Sequence, residues 1–228
     1  MKLDTTSQLV TVPGALRWDE LETKLQKRGW TSGYRPMPAT RVSLAVCLQE
    51  KRPNVLGRRY GEWEDMCVGL KASARRRRYQ LKNVPRAATG PDFKRLFLGG
   101  EGQWGKIEEV TLRIHHKPQK KIWGLIYTAQ DSLEGMTRKM IGLKGSLAFM
   151  AEAPVPTLPS PLRRPGMKLM MGLYFEGVKD LVEAHYHYVR KTSQELRLKF
   201  VPEVELTSLA SVLVLWMEKS GGKILSYE

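Results

Sequence analysis

Hydrophobic and polar positions follow two different periods near the start of the chain. Residues 9–12 alternate as in a strand and lead into the turn dipeptide Pro13-Gly14. After the turn, apolar residues recur at helical spacing: Leu16, Trp18, Leu21 and Leu25. Gly29 follows this run, at the position where glycine commonly ends a helix. The pattern predicts a strand, a turn and an amphipathic helix.

The rest of the first half contains short apolar segments separated by loops. Val42–Leu48 is predicted to form one buried segment and Met66–Ala72 a strand. Arg75–Arg78 then resembles the charged tip of a hairpin. Further on, apolar residues alternate with polar ones; they are Val110, Leu112 and Ile114. This second alternation predicts a half-buried strand.

A second set of elements begins after the polar segment Lys117–Lys121. Ile122–Thr128 and Leu147–Met150 are predicted strands. Between them, Asp131 or Ser132 can cap a helix. The side chains that this helix is expected to turn towards the interior are Leu133, Met136, Met140 and Ile141. The pattern therefore predicts one strand-helix-strand unit.

A proline-rich linker, residues 153–166, precedes the last predicted elements. Neither a helix nor a central strand is expected to persist there, because proline lacks an amide donor. Met167–Phe175 and Leu196–Val201 are predicted strands that flank a helix. The apolar face of that helix carries Val178, Leu181, Val182, His185, Val189 and Thr192. Two β-α-β-like units on one sheet indicate an α+β fold with a ferredoxin-like layer of helices.

Length and cysteine content limit the class of protein. At 228 residues the chain is one large domain or two small ones, and we place the division between 1–118 and 119–228. Cys47 and Cys67 cannot build a disulfide framework, which favours reduced thiols and a cytoplasmic location. The start of the chain lacks a signal-peptide pattern. The most apolar window, Ser208–Met217, is about half as long as a membrane span of about 20 residues.

The formal net charge of +15 is concentrated in one part of the chain. Residues 51–100 contain 13 Lys or Arg and 4 Asp or Glu, whereas residues 201–228 contain 2 and 4. Nucleic acid is not the expected partner, because no helix-turn-helix, RNA-recognition or zinc-finger signature is present. The run Arg75–Arg78 is either a solvated hairpin tip or a docking surface for an acidic partner, a phosphate-bearing ligand or anionic lipid headgroups.

The histidines and tryptophans indicate structural roles. His115 and His116 are adjacent on a predicted strand and point to opposite faces, so they cannot easily share a metal. His185 and His187 diverge on a predicted helix, where His185 on the apolar face should be hydrogen bonded. No metal site and no catalytic set of residues is predicted. Most of a group of four tryptophans are expected in the core; the group is Trp63, Trp104, Trp123 and Trp216.

Four glycines follow the apolar segment Leu96–Leu98; they are Gly99, Gly100, Gly102 and Gly105. Glycine allows sharp turns and close approach of a ligand to the backbone, since it has no Cβ. Amides in such a turn can bind phosphate or ring oxygens. The alternative interpretation is a bulged strand junction that the fold alone requires.

The segment Pro85–Pro118 resembles the end of a flavin domain of the vanillyl-alcohol oxidase, or para-cresol methylhydroxylase (PCMH), type. That domain combines a Gly-Pro-Asp step, an apolar segment, Gly-Ser-Glu-Gly-Thr-Leu-Gly-Ile-Ile-Thr and a strand ending in proline. Upstream, Leu9–Gly29 resembles its strand, glycine turn and helix, and Arg59-Tyr60-Gly61 with Asp65 resembles its Tyr-Gly segment. The resemblance covers about residues 4–118 and is closest to alkyl-dihydroxyacetonephosphate synthases and glycolate or lactate dehydrogenases.

The resemblance implies a fold and a set of cofactor contacts. Residues 1–118 would form the second subdomain of a PCMH-type FAD-binding domain, and residues 119–228 a partial ferredoxin-like cap. The positions that the resemblance implies for FAD contact are Gly90, Pro91, Asp92, Gly99, Gly100, Glu101, Gly102, Gly105 and Ile107.

The chain also departs from this family. The family binds the flavin pyrophosphate mainly with a loop upstream of the residues present here. A later Gly-Gly segment of the family is replaced in this chain by residues 40–44, which contain no glycine. Lys106 and Glu108 place charge where the family has apolar or neutral residues. We therefore expect a truncated relative that binds FAD weakly or with a partner subunit, or has lost catalysis. The alternative is a non-enzymatic adaptor that associates with proteins, including copies of itself, through its basic surface.

Overall fold

The computed structural model describes residues 1–36, 41–75, 77–81, 92–143 and 145–201. The chain divides into two compact units, Met1–Lys117 and a second unit that begins at Pro118. Trp216 and the apolar window Ser208–Met217 lie outside the described residues. No helix among the described residues is long and apolar enough to cross a membrane.

The first unit contains a five-stranded antiparallel sheet with strand order β1-β2-β6-β4-β5, beside a short two-stranded ribbon, β3-β7. The elements of this unit in chain order are β1 (Lys2–Asp4), β2 (Leu9–Pro13), α1 (Trp18–Gln26), β3 (Trp30–Thr31), α2 (Leu44–Gln49), α3 (Gly57–Tyr60), α4 (Trp63–Met66), β4 (Cys67–Ala74), β5 (Arg77–Gln80), α5 (Lys94–Phe97), β6 (Lys106–Arg113) and β7 (His115–His116).

The predicted strand, turn and helix at the start of the chain are confirmed. Helix α1 buries Leu21 and Leu25, which lie four residues apart on one face. The half-buried strand predicted from the second alternation is β6, in which Val110 and Leu112 are buried and Arg113 is exposed. The alternate residue Thr111 is also buried, beside β2, where its Oγ1 hydrogen bonds with Oγ1 of Thr11 at 3.0 Å.

Two other segments of the first unit take a more specific form than predicted. Most of Val42–Leu48 is helix α2, which begins after Ser43, whose Oγ accepts a hydrogen bond from the Val46 amide. The prediction that Arg75–Arg78 forms a hairpin tip is only partly right. Arg75 lies in the turn with φ of +44°, whereas Arg77 and Arg78 pair with β4 in the edge strand β5.

The second unit is a four-stranded antiparallel sheet with strand order β11-β8-β10-β9, and α7 packs on β8 and β10. Its elements are β8 (Lys120–Thr128), α6 (Glu134–Ile141), β9 (Leu147–Pro154), two 3-10 turns (Val155–Thr157 and Ser160–Leu162), β10 (Leu169–Gly177), α7 (Lys179–Glu195) and β11 (Lys199–Val201). The predicted pair of strand-helix-strand units on one sheet is present.

Some side chains of the second unit differ from the sequence pattern. Ile141 was expected in the interior but is 38% exposed, because it occupies the last residue of α6. Leu181 and Val178 are also exposed, at the start of α7 and just before it. The hydrogen bond predicted for His185 is confirmed: its Nδ1 lies 2.6 Å from Oγ of the buried Ser146.

Strand β6 begins at a point where two backbones approach closely. Gly105 has φ of +136°, and a Cβ built on it would lie 2.4 Å from the carbonyl oxygen of Ser73 in β4. Gly29, after α1, has φ of +79° but open space around its Cβ position. The first glycine is required by conformation and by contact, the second by conformation alone.

The ribbon β3-β7 is held by aromatic contacts. The rings of Trp30 and His116 stack with centroids 4.4 Å apart, and those of Tyr60 and His115 lie 4.8 Å apart. The Nε2 atom of His115 is buried and has no hydrogen-bond partner within the described residues. Burial, followed by the positive charges of Arg113 and Arg59, lowers the pKa of His115 to about 4.

We predict that Gly105→Ala lowers the free energy of unfolding by roughly 3 kcal/mol, because the new methyl group meets a backbone oxygen in a strained conformation. Gly29→Ala should cost only about 1 kcal/mol, since it adds conformational strain without a clash. Urea denaturation of both variants measures the difference. Equal losses would contradict the close contact between β6 and β4.

We predict that the free energy of unfolding falls as the pH falls from about 6.5 towards 4 and that His115 contributes to this slope. The unfolded imidazole takes up a proton near pH 6.5, whereas the folded one stays neutral until about pH 4. Denaturation of His115→Gln across this range should show a flatter slope than the wild-type chain. His116→Gln, on the same strand, is the matched control, and an unchanged slope in His115→Gln would refute the assignment.

Candidate functional site

The glycine-rich segment forms a loop, residues 99–105, between α5 and β6. Its first part is tied to the C-terminal end of α2: the amide of Gly99 donates to the carbonyl oxygen of Leu48 at 2.9 Å, and that of Glu101 to Gln49 at 3.0 Å. The side-chain Nε2 of Gln49 donates to the carbonyl oxygen of Gly105 at 2.9 Å. Both ends of the loop are therefore fixed to one helix.

The amides of this loop alternate between two roles. Those of Gln103 and Gly105 also donate to backbone carbonyl oxygens, on Gly100 and Gly102, at 2.8 and 3.2 Å. The amides of Gly100, Gly102 and Trp104 have no hydrogen-bond partner in the described part of the chain. These alternate amides are the donors that a phosphate or ring oxygen of a ligand can use.

The conformation of the loop explains most of its glycines without a ligand. Gly99 and Gly102 have φ of +76° and +79°, and a Cβ on Gly100 would lie 2.3 Å from the Leu96 carbonyl oxygen. The nearest atom to a Cβ on Gly102 is 3.6 Å away, at the end of the Gln49 side chain. Gly102 is thus the loop glycine around which most space is open.

The remaining residues implied for cofactor contact are placed differently. Asp92 lies just before α5, where its Oδ1 accepts a hydrogen bond from the Lys94 amide at 3.2 Å. Glu101 is part of the loop and exposed, whereas the Ile107 side chain is buried in the core. Gly90 and Pro91 lie outside the described residues. The structure therefore brings five of these positions together: Gly99, Gly100, Glu101, Gly102 and Gly105.

Two other glycines, Gly33 and Gly61, lie around Asn54, a residue that the sequence analysis did not single out. Its Nδ2 donates to the carbonyl oxygens of Gly33 and Gly61, at 3.1 and 3.0 Å. A Cβ on Gly33 would lie 2.4 Å from the Tyr60 ring, so the Arg59-Tyr60-Gly61 segment packs directly on this turn. Only tertiary contact reveals this arrangement.

The described residues contain little nucleophilic or metal-binding potential. Both cysteines are buried, and burial raises the pKa of Cys67 to about 12 and also raises that of Cys47. Lys94 is buried as well, and its Nζ donates to the Val68 carbonyl oxygen at 3.3 Å. No group of three metal-ligating side chains occurs within the residues described.

An apolar groove of about 600 Å³ lies beside the loop, lined partly by Gly102 and Gly105. Trp104, expected in the core, borders this groove and is 55% exposed, whereas Trp63 is buried as predicted. The aromatic side chains that line the groove are Tyr79, Phe93, Phe97 and Trp104. Sequence reasoning missed the groove because its walls come from separate elements.

Comparison with curated proteins gives several relatives, although no protein-family profile matches the chain. The uncharacterized FAD-linked oxidoreductase YgcU of Escherichia coli K12 is 31% identical over 115 residues, 50% of this chain and 24% of YgcU. The alkyldihydroxyacetonephosphate synthase of Caenorhabditis elegans is 32% identical over 105 residues, 46% and 18% of the two chains. The mitochondrial D-lactate dehydrogenase (cytochrome) of Arabidopsis thaliana is 31% identical over 116 residues, 50% and 20%.

Solved structures extend the similarity in fold. One structure of alkyldihydroxyacetonephosphate synthase superposes with a TM-score of 0.77 at 18% identity and covers 95% of this chain and 44% of that one. The curated relatives are matched over about a quarter of their length or less. About half of the chain is similar in sequence to proteins that include an FAD-linked oxidoreductase, and its fold resembles that of alkyldihydroxyacetonephosphate synthase over part of that protein's length.

Proposed function

We propose that this chain is an FAD-binding unit that holds the cofactor together with a second polypeptide. The observation that carries the proposal is the set of unpaired amides at Gly100, Gly102 and Trp104, within a chain that is similar in sequence to an FAD-linked oxidoreductase. Bound flavin would supply the redox chemistry, and the chain's own part would be to bind and orient it.

Physical reasoning favours shared binding. The two phosphates of a dinucleotide need several donors aimed at them, because they otherwise remain better solvated in water. Three unpaired amides meet only part of this need. Arginines in the first unit add attraction, but exposed charges are screened by salt. A second polypeptide with a phosphate-gripping loop would supply the remaining donors.

The replaced Gly-Gly segment supports the same conclusion. Its described part, residues 41–44, leads into α2, and the Leu44 side chain is buried in the core. A glycine backbone that could approach a ligand is therefore absent from these four residues.

We also keep a cytoplasmic location as a proposal, supported by two free, buried cysteines.

The second candidate function is a non-enzymatic adaptor. Four of the seven loop amides, those of Gly99, Glu101, Gln103 and Gly105, donate to the chain's own backbone. This favours a structural role for most of the loop. The exposed groove beside it offers a surface for a protein partner.

We predict weak, saturable binding of FAD to the chain alone and tighter binding when polypeptides encoded by neighbouring genes are co-expressed. Flavin fluorescence polarisation measures both affinities. Gly102→Leu should abolish binding, because a bulky side chain would fill the open space beside the unpaired amides of the loop. Gly29→Leu is the matched control: both glycines have φ of +79°, but Gly29 lies away from the loop.

Two results would refute the cofactor proposal. One is the absence of any FAD binding or FAD-dependent thermal shift, with and without the co-expressed polypeptides. The other is equal FAD affinity in the Gly102→Leu and wild-type chains, which would place the flavin away from this loop. Either result leaves the adaptor as the better account.

A further inference from the structure

The apolar groove beside the loop gathers exposed hydrophobic side chains that a chain of this size normally buries. Phe93 and Trp104 are 54% and 55% exposed, and Tyr79 and Leu96 are 41% and 39% exposed. All four line the same groove of about 600 Å³. Contiguous exposed apolar surface of this kind marks a binding site more often than single exposed residues do.

The walls of the groove come from three elements of the first unit. One wall is the end of the β4-β5 hairpin, from which Tyr79 and Leu81 project on the same face of the strand. A second wall is α5 with Leu96 and Phe97, and the third is the loop that the hydrogen bonds to α2 hold in place. A preformed groove needs little ordering when a ligand binds.

Charge on the rim of the groove is positive. Arg75 lines the groove, and Arg77 lies on the same strand face as Tyr79 because strand residues alternate. Arg78 projects to the opposite face, where its Nε is 3.8 Å from Glu108. Of the three arginines of this hairpin that the structure describes, Arg75 lines the groove, Arg77 lies on the same strand face as Tyr79, and Arg78 lies on the opposite face.

We infer that this groove docks an acidic segment of a partner protein, which inserts an aromatic or leucine side chain between Trp104 and Tyr79 and sets its carboxylates against Arg75 and Arg77. The apolar walls would take the inserted side chain, and the arginine rim would select carboxylates beside it. The inference deepens the adaptor alternative but does not require it. It uses side chains, whereas flavin binding was assigned to backbone amides.

An oligonucleotide is a poorer fit to the same groove. Single-stranded nucleic acids need a basic track along the backbone together with stacking platforms. Here the arginines occupy one end, and much of the lining is aliphatic, at Ala74, Leu81 and Leu96. A single anchored side chain fits this arrangement better than a row of bases.

The test is panning of a random dodecapeptide phage library against the full chain, followed by affinity measurement with the enriched synthetic peptides. The expected peptides carry Trp, Phe or Leu flanked by Asp or Glu. Trp104→Ser should lower their affinity about tenfold or more, and Trp104→Phe should restore most of it. Val178→Ser is the matched control, since Val178 is 57% exposed in the second unit.

The charge contribution is tested on one strand. Arg77→Glu should weaken peptide binding and reduce its salt dependence, whereas Arg78→Glu, the same reversal on the opposite face, should leave affinity unchanged. Equal effects of the two reversals, or peptides without acidic residues, would overturn the inference. A competition experiment with labelled peptide would also overturn the inference if oligo-dT or FAD displaced the peptide at a lower concentration than unlabelled peptide does. That result would assign the groove to nucleic acid or to the cofactor.

Discussion

The hydrogen bonds that join loop 99–105 to the C-terminal end of α2 fix the position of the loop and occupy two of its amides. Carbonyl groups at the end of a helix lack partners within the helix, and here the amides of Gly99 and Glu101 fill two of them. The amides of Gly100, Gly102 and Trp104 have no such acceptor within the described residues. One interaction therefore fixes the loop in the fold, leaves its alternate donors open and positions Trp104 on the wall of the groove.

The sequence predicts the longer helices and strands because each has its own period of apolar residues, whereas short elements such as β3 and α3 were not predicted. Helix α1 and the strands of the second sheet follow directly from patterns of apolar residues. The burial of Thr111 and the exposure of Ile141 could not be read in this way. The burial of Thr111 depends on the strands beside β6, and the exposure of Ile141 depends on where α6 ends. The local pattern of apolar residues specifies neither.

The sequence predicted only part of the candidate site. Motif resemblance identified the glycines of the loop, and the relatives confirm the link to FAD-linked oxidoreductases. The hydrogen bonds of the Gly99 and Glu101 amides could not be predicted, because their acceptors at Leu48 and Gln49 lie about 50 residues earlier. The same holds for Asn54 between two glycine turns, and for the groove, whose walls come from three separate elements.

Amide hydrogen exchange, followed by NMR with and without saturating FAD, tests the central claim most directly. The account predicts slow exchange at Gly99 and Glu101 in both conditions, because their amides are bonded to α2. At Gly100 and Gly102 it predicts fast exchange that FAD slows. Exchange at these two amides that FAD leaves unchanged would contradict the claim that the unpaired donors of the loop bind the cofactor.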